Sequence, residues 1–105
     1  MKGHPSPELS QLAKTLRERC SGELLQILFF GSRARGDASP ESDYDCLLIF
    51  RAVNERIKQD LHRLAAEWLL ERGVVISWVA VSEADLERFR YEPFLQNARR
   101  EGIPA

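Results

Sequence analysis

The chain has 105 residues and a formal net charge of −1, and 44% of its residues are hydrophobic and 30% charged. This length fits one domain over residues 1–105, and the composition excludes a disordered tail, a collagen-like repeat and a membrane protein. The near-neutral charge gives no global basic field for nucleic acid, so any such contact would need a local patch.

Hydrophobic periodicity predicts helices and strands that alternate along most of the chain. In chain order the predicted elements are helix Pro7–Cys20, strand Leu24–Phe30, strand Asp43–Phe50, helix Val53–Arg72, strand Val74–Val81, a helix from Ser82 toward Arg90, and helix Glu92–Arg100. Ser6 and Ser82 have the spacing of N-caps, and Gly73 ends the long helix. Both faces of the strand Asp43–Phe50 carry apolar residues, which predicts a central strand.

The polar segment Gly31–Gly36 directly follows the first buried strand. Glycine lets the backbone turn tightly and leaves room for a phosphate against bare amides. The residues after Gly31 could form one helical turn whose free N–H groups point at an anion, with Ser32 as a hydroxyl donor and Arg33 and Arg35 as cations. Taken alone, such a segment is more often an ordinary polar turn with surface arginines.

Two carboxylates, Asp43 and Asp45, stand at the start of the second predicted strand. In a strand, residues i and i+2 project from the same face, about 6.6–7 Å apart along the chain. Carboxylates so placed repel each other unless a cation lies between them, and hard oxygen ligands suit Mg²⁺ or Mn²⁺. A solvated strand start is the alternative, although Asp is depleted in strands.

The segments Gly31–Gly36 (GSRARG) and Ser42–Leu48 (SDYDCLL) together resemble the signature of the DNA polymerase beta-like nucleotidyltransferase superfamily. In particular they resemble the minimal nucleotidyltransferases (MNT) of bacteria and archaea. The tail, Pro93–Asn97 (PFLQN) and Arg100–Ile103 (REGI), is similar to the end of the small stand-alone members. The resemblance implies an α/β (α+β) fold with a nucleotidyltransferase (polymerase beta-like) core, which is a small mixed β-sheet of three or four strands flanked by helices.

The same resemblance implies a site and a partner. Gly31, Ser32 and Arg33 would bind the phosphates of ATP or another NTP. Asp43 and Asp45 would hold Mg²⁺ (or Mn²⁺) while an acceptor hydroxyl attacks the α-phosphate. Small members often pair with a helical HEPN-domain protein as a toxin–antitoxin system, in which the MNT chain is the antitoxin. Some of these antitoxins transfer AMP onto a tyrosine of the toxin.

One position departs from the family's pattern. Active members usually carry a third carboxylate on the next strand, where it ligates metal and takes the proton from the acceptor. Here the polar residue nearest that place is Ser77, and a neutral hydroxyl supplies neither function. Ser77 could instead be a satisfied core hydroxyl. The second hypothesis is therefore a catalytically weak or inactive module that acts by protein–protein binding. An antibiotic-modifying transferase is less favoured, because those enzymes usually need a second domain to bind the drug.

Further expectations concern the cysteines, the cellular location of the protein and its apolar surface. Cys20 and Cys46 have no Cys or His at ligand spacing, which indicates reduced, buried thiols. The first residues lack the apolar core of a signal peptide, and no apolar run reaches about 18 residues, so we expect a cytoplasmic protein without a membrane span. A domain this small buries only about two-thirds of its unfolded surface. Apolar surface left over would favour a partner or a homo-oligomer.

Overall fold

A computed structural model describes residues 6–20, 22–31 and 43–105. Within these ranges the elements are α1 (Pro7–Arg19), β1 (Leu24–Phe30), β2 (Tyr44–Phe50), α2 (Glu55–Arg72), β3 (Ile76–Ser82), α3 (Glu83–Arg88), α4 (Pro93–Glu101) and β4 (Ile103–Pro104). The predicted α/β (α+β) class is confirmed, and most predicted ends are displaced by one or two residues. The predicted helical turn after Gly31 and the loop up to Ser42 lie outside the described residues.

The described strands form one mixed sheet in the order β3-β2-β1-β4. β1 runs antiparallel to both β2 and β4, whereas β2 and β3 are parallel. The helix α2 lies between β2 and β3 along the chain and supplies the crossover that a parallel pair needs. The expected small mixed sheet flanked by helices is therefore confirmed, with four strands in the described part of the chain.

One face of the sheet, here called the first face, packs against α1 and α2 and forms the main core. The strands contribute to it Ile27, Phe29, Tyr44, Cys46, Leu48 and Phe50. Apolar residues spaced three and four apart give each helix a continuous stripe toward these side chains. The stripes include Leu9, Leu12 and Leu16 of α1 and Ile57, Leu61, Leu64 and Trp68 of α2.

The opposite face, here called the second face, carries a smaller core. Leu28, Leu47 and Ile49 of the sheet are buried there together with Leu95 and Ala98 of α4. Because β2 is buried on both faces, the prediction of a central strand is confirmed. The apolar cover extends along the middle of β2 and not to its first residues: Asp45 is half-buried and Asp43 is exposed. Among the described residues, one end of the second face is therefore polar and open.

Capping side chains set where the helices begin. Ser6, Asn54 and Ser82 each accept a hydrogen bond from the backbone N–H three residues later, at 3.2, 2.9 and 3.1 Å. Two of these caps, Ser6 and Ser82, were expected. The prediction that the long helix starts at Val53 was wrong by two residues, because the Asn54 side chain makes Glu55 the first helical residue. Gly73 ends this helix with a left-handed backbone, as predicted.

The strand β4 was not among the predicted elements. It pairs with Leu28 and Phe29 of β1, and the N–H of Ala105 donates to the carbonyl of Ile27 at 3.0 Å. Two residues give no periodicity to detect, and its proline is tolerated because β4 lies at an edge of the sheet. This pairing returns the chain to the sheet after α4 and holds that helix over the second face.

Two further expectations concern the cysteines and membrane spans. Cys20 and Cys46 are both free and buried, as predicted. Across residues 6–20, 22–31 and 43–105, no helix is both long enough and apolar enough to cross a bilayer.

The junction between α4 and β4 gives a test of this packing. A Cβ added at Gly102 would overlap the carbonyl oxygen of Ala98 and lie 3.1 Å from the Cβ of Leu28. We expect Gly102→Ala to lower the free energy of unfolding by about 1–3 kcal/mol, measured by urea denaturation, because α4 must move off the sheet. Gly73→Ala is the comparison, since its added Cβ meets nothing within 4 Å and only the left-handed backbone opposes it. A smaller loss for Gly102→Ala than for Gly73→Ala would contradict the close contact.

Candidate functional site

Asp43, Asp45 and Ser77 meet at the open end of the second face. Asp45 lies in β2 two residues before Leu47, so both side chains project from the same face. Ser77 is the register partner of Asp45 on β3, and its hydroxyl donates a hydrogen bond to Oδ2 of Asp43 at 3.0 Å. Both aspartates therefore lie on one face, as their spacing predicted.

Gly31 brings the end of β1 against this pair. Its φ of 75° lies in the left-handed region, which favours glycine. Phe30 is the register partner of Asp45, so the turn at Gly31 lies beside the Asp45 carboxylate. A Cβ at Gly31 would overlap Oδ2 of Asp45 and lie 3.2 Å from its Cγ. The backbone conformation and the close approach both require glycine here.

Tyr44 fixes the start of β2 from the other side of the sheet. Its side chain is buried on the first face, and its hydroxyl donates to a carboxylate oxygen of Glu8 in α1. Its backbone N–H donates to the carbonyl of Val75 at 2.8 Å. A buried tyrosine needs such a partner. Because Tyr44 is held inward, its neighbours Asp43 and Asp45 are turned toward the second face. A buried tyrosine between two aspartates in a strand predicts that both carboxylates lie on the opposite face. This pattern was not used in the sequence analysis.

Two other predicted residues, Ser32 and Arg33, lie outside the described residues. Their proposed contacts with phosphate, and the role of Gly31 beside them, stay predictions. The structure places Gly31 next to Asp45.

The donor set of the site is small. Within the described ranges, no cluster of three or more His, Cys, Asp and Glu side chains lies together. Asp43 and Asp45 supply carboxylate oxygens, and Ser77 adds a neutral hydroxyl. Mg²⁺ typically binds through one or two carboxylates together with waters and substrate phosphates, rather than in an all-protein cage. The residues present therefore fit a hard divalent ion that shares its remaining ligands with a bound phosphate.

Cys46 follows Asp45 directly but takes no part in such a site. It points to the first face and is fully buried. Burial, together with the nearby negative charge of Asp45, raises the pKa of its thiol to about 12. Only a thiolate ligates metal or acts as a nucleophile, so this protonated thiol is inert.

An aromatic pair lies beside Asp45, and sequence analysis did not connect its members. Phe30 pairs with Asp45 in the sheet, and its ring meets that of Phe94 with centroids 5.5 Å apart and planes at 82°. Phe94 is the second residue of α4. In the sequence, Phe94 is notable only as part of the tail pattern. Hydrophobic periodicity does not reveal its contact with Phe30, because the two residues lie far apart in the chain.

Comparisons with known proteins cover most of the chain. A family model described as "Nucleotidyltransferase domain" matches residues 9–101. Two curated relatives from Methanocaldococcus jannaschii are each named "Putative protein adenylyltransferase". One is 30% identical over 94 residues, which cover 90% of this chain and 90% of the relative. The other is 30% identical over 91 residues, which cover 83% of this chain and 61% of the relative.

The contact between Gly31 and Asp45 gives a test of the site. We expect Gly31→Ala to weaken binding of Mn²⁺ by about 10- to 100-fold, as other changes beside metal ligands do, because the added methyl displaces the Asp45 carboxylate. Free Mn²⁺ can be counted by its electron paramagnetic resonance signal. Gly22→Ala is the matched control, because Gly22 also has a positive φ, of 88°, but its added Cβ meets nothing within 4 Å. Equal Mn²⁺ affinity in the two variants would contradict the role given to the contact.

Proposed function

This chain belongs to the nucleotidyltransferase domain family, and on that basis we propose that it binds a nucleoside triphosphate with Mg²⁺ and transfers AMP from ATP to a hydroxyl group of a partner protein. One observation carries the proposal. The turn at Gly31 lies against the carboxylate of Asp45, while Asp43 is hydrogen-bonded to Ser77, the register partner of Asp45. A turn residue without a side chain thus lies against one carboxylate, and a second carboxylate lies on the same open sheet face.

Each residue has a proposed role in this reaction. Gly31, with Ser32 and Arg33, holds oxygens of the triphosphate, and Asp43 and Asp45 hold Mg²⁺ (or Mn²⁺). When bound, the ion neutralises phosphate charge and polarises the phosphorus that is attacked. The acceptor oxygen bonds to the α-phosphorus, the bond from that phosphorus to the β-phosphate oxygen breaks, and pyrophosphate leaves. The described site has no third carboxylate, so the acceptor proton passes to solvent or to a group of the partner.

The proposal of a protein acceptor rests on the exposure of Asp43 and on the names of the two relatives. Asp43 is exposed at the edge of the domain, where a protein side chain can approach. Both relatives carry a name that specifies a protein acceptor. We further propose that the partner is a helical HEPN-domain protein and this chain the cytoplasmic antitoxin of the pair. Exposed apolar residues near the end of α2, among them Leu69, Leu70 and Val75, are available for a partner or for a second copy.

A second candidate function is a binding module without turnover. The observation that favours it is Ser77, whose hydroxyl contacts Asp43 but cannot accept a proton as a carboxylate does. Such a module would keep the fold and inhibit its partner by stoichiometric contact alone.

Nucleotide binding is tested by isothermal titration with ATP and Mg²⁺. We expect the wild-type chain to bind, and Asp43→Asn and Asp45→Asn each to weaken binding at least about tenfold, because each removes a charged metal ligand. Asp60→Asn is the matched control, since Asp60 lies on α2 at the other side of the sheet. Absence of wild-type binding, or equal loss in all three variants, would reject the proposal.

Turnover is tested with ATP radiolabelled at the α-phosphate and the proposed HEPN-domain partner as acceptor. We expect Ser77→Asp to label the acceptor about 100-fold faster than wild type or more, because it adds a carboxylate beside Asp43 that can accept the proton. Ser77→Asn has the same shape without the charge and should not accelerate transfer. The binding-module hypothesis instead expects no label with the wild-type chain, and inhibition of the partner that survives loss of both aspartates.

A further inference from the structure

An exposed aromatic ring stands beside the open end of the second face. The helix α4 buries Leu95 and Ala98 over the apolar part of this face. Phe94, one residue before Leu95, leaves 43% of its surface exposed. The core of this face is already closed by the buried residues of α4, so the exposed part of the Phe94 ring adds little to it.

The position of this ring relative to the carboxylates follows from the sheet. Phe30 and Asp45 are directly opposed on neighbouring strands, and the Cβ atoms of such residues lie about 5 Å apart on the same face. The centroid of the Phe94 ring is 5.5 Å from that of the Phe30 ring. Phe94 therefore lies on the order of 10 Å from the Asp45 carboxylate. A ribose and an α-phosphate can bridge that separation.

We propose that Phe94 is the platform on which the base of the bound nucleotide stacks. The inference rests on the proposed function, because it takes a nucleotide held at Asp43 and Asp45 as its starting point. The triphosphate is the charged end of that ligand and meets the carboxylate-bound ion. The base is its flat and least polar part, and Phe94 is the exposed aromatic surface that borders the site through Phe30.

The geometry of the aromatic pair leaves room for the base. In an edge-to-face pair one ring presents its edge to the other, so at least one face of the Phe94 ring is not covered by Phe30. The backbone at this position is also fixed. The ring of Pro93, directly before Phe94, fixes its own φ, and the side chain of Leu95, directly after Phe94, is buried. The platform is thus held in place before the ligand arrives, which lowers the entropy lost on binding.

Stacking on an aromatic face tolerates any base, but it grows with the area of the base. We therefore expect purine nucleotides to bind more tightly than pyrimidine nucleotides, and this preference to depend on Phe94. A leucine at this position would keep an apolar contact with Phe30 and lose the flat surface. A tryptophan would keep the flat surface.

The experiment is isothermal titration of four proteins with ATP, CTP and inorganic tripolyphosphate, each with Mg²⁺. The proteins are the wild type, Phe94→Leu, Phe94→Trp and the control Phe89→Leu. Phe89 is the matched control because it is 41% exposed and its ring contact is the guanidinium of Arg88, 5.2 Å from its centroid. We expect Phe94→Leu to weaken ATP binding by about 10- to 100-fold and to leave tripolyphosphate within about twofold of wild type. Phe94→Trp should retain ATP affinity, and the preference for ATP over CTP should shrink only in Phe94→Leu.

The relative affinities for ATP and tripolyphosphate distinguish a failure of this inference from a failure of the proposed function. If Phe94→Leu weakened ATP and tripolyphosphate equally, Phe94 would act through packing, and the platform would be rejected. Unchanged ATP affinity in Phe94→Leu, or an equal loss in Phe89→Leu, would reject it as well. Equal affinity of the wild-type chain for tripolyphosphate and for ATP would mean that the base makes no favourable contact, and it would also reject the platform. Failure of the wild type to bind either ligand would instead reject the proposed function, and this inference with it.

Discussion

The close approach of Gly31 to the carboxylate of Asp45 is the contact on which the site depends. It is possible because glycine has no Cβ and adopts the left-handed backbone, with a φ of 75°. It also depends on the pairing that sets Phe30 opposite Asp45. A shift of this register by one residue would move Asp45 to the first face, into the main core. The pairing of β1 with β2 therefore decides whether the turn and the acid meet at all.

Two cores hold that register from opposite sides of the sheet. Cys46 and Leu48 are buried against α1 and α2, whereas Leu47 and Ile49 are buried against α4. A slipped strand would exchange these sets and expose both cores. The hydrogen bond from Tyr44 to Glu8 adds a specific constraint at the first residue of the strand. The apolar packing of the domain thus serves to keep two charged side chains on one open face.

Sequence patterns predicted those features of the structure that depend on residues close together in the chain. The shared face of Asp43 and Asp45 follows from the two-residue repeat of a strand, and the helix starts at Ser6 and Ser82 follow from their capping side chains. Contacts between distant segments could not be predicted in this way. The hydrogen bond from Ser77 to Asp43 depends on the parallel pairing of β3 with β2, and the ring contact of Phe94 depends on the course of α4 across the sheet.

The small donor set has a consequence for how the site would work. Under the proposed function, two carboxylates would leave most of the coordination of a divalent ion to water and phosphate, so a bound ion and a bound nucleotide would stabilise each other's binding. The Ser77 hydroxyl donates a hydrogen bond to Asp43 and adds no charge, so under the proposed function it would favour nucleotide binding over rapid proton transfer. Under the proposed function the acceptor is a partner protein, for which slow transfer would be sufficient if each molecule is modified once. Tight binding of that partner would also bring its hydroxyl to the site, so stoichiometric binding and a single transfer can be successive steps of the same encounter.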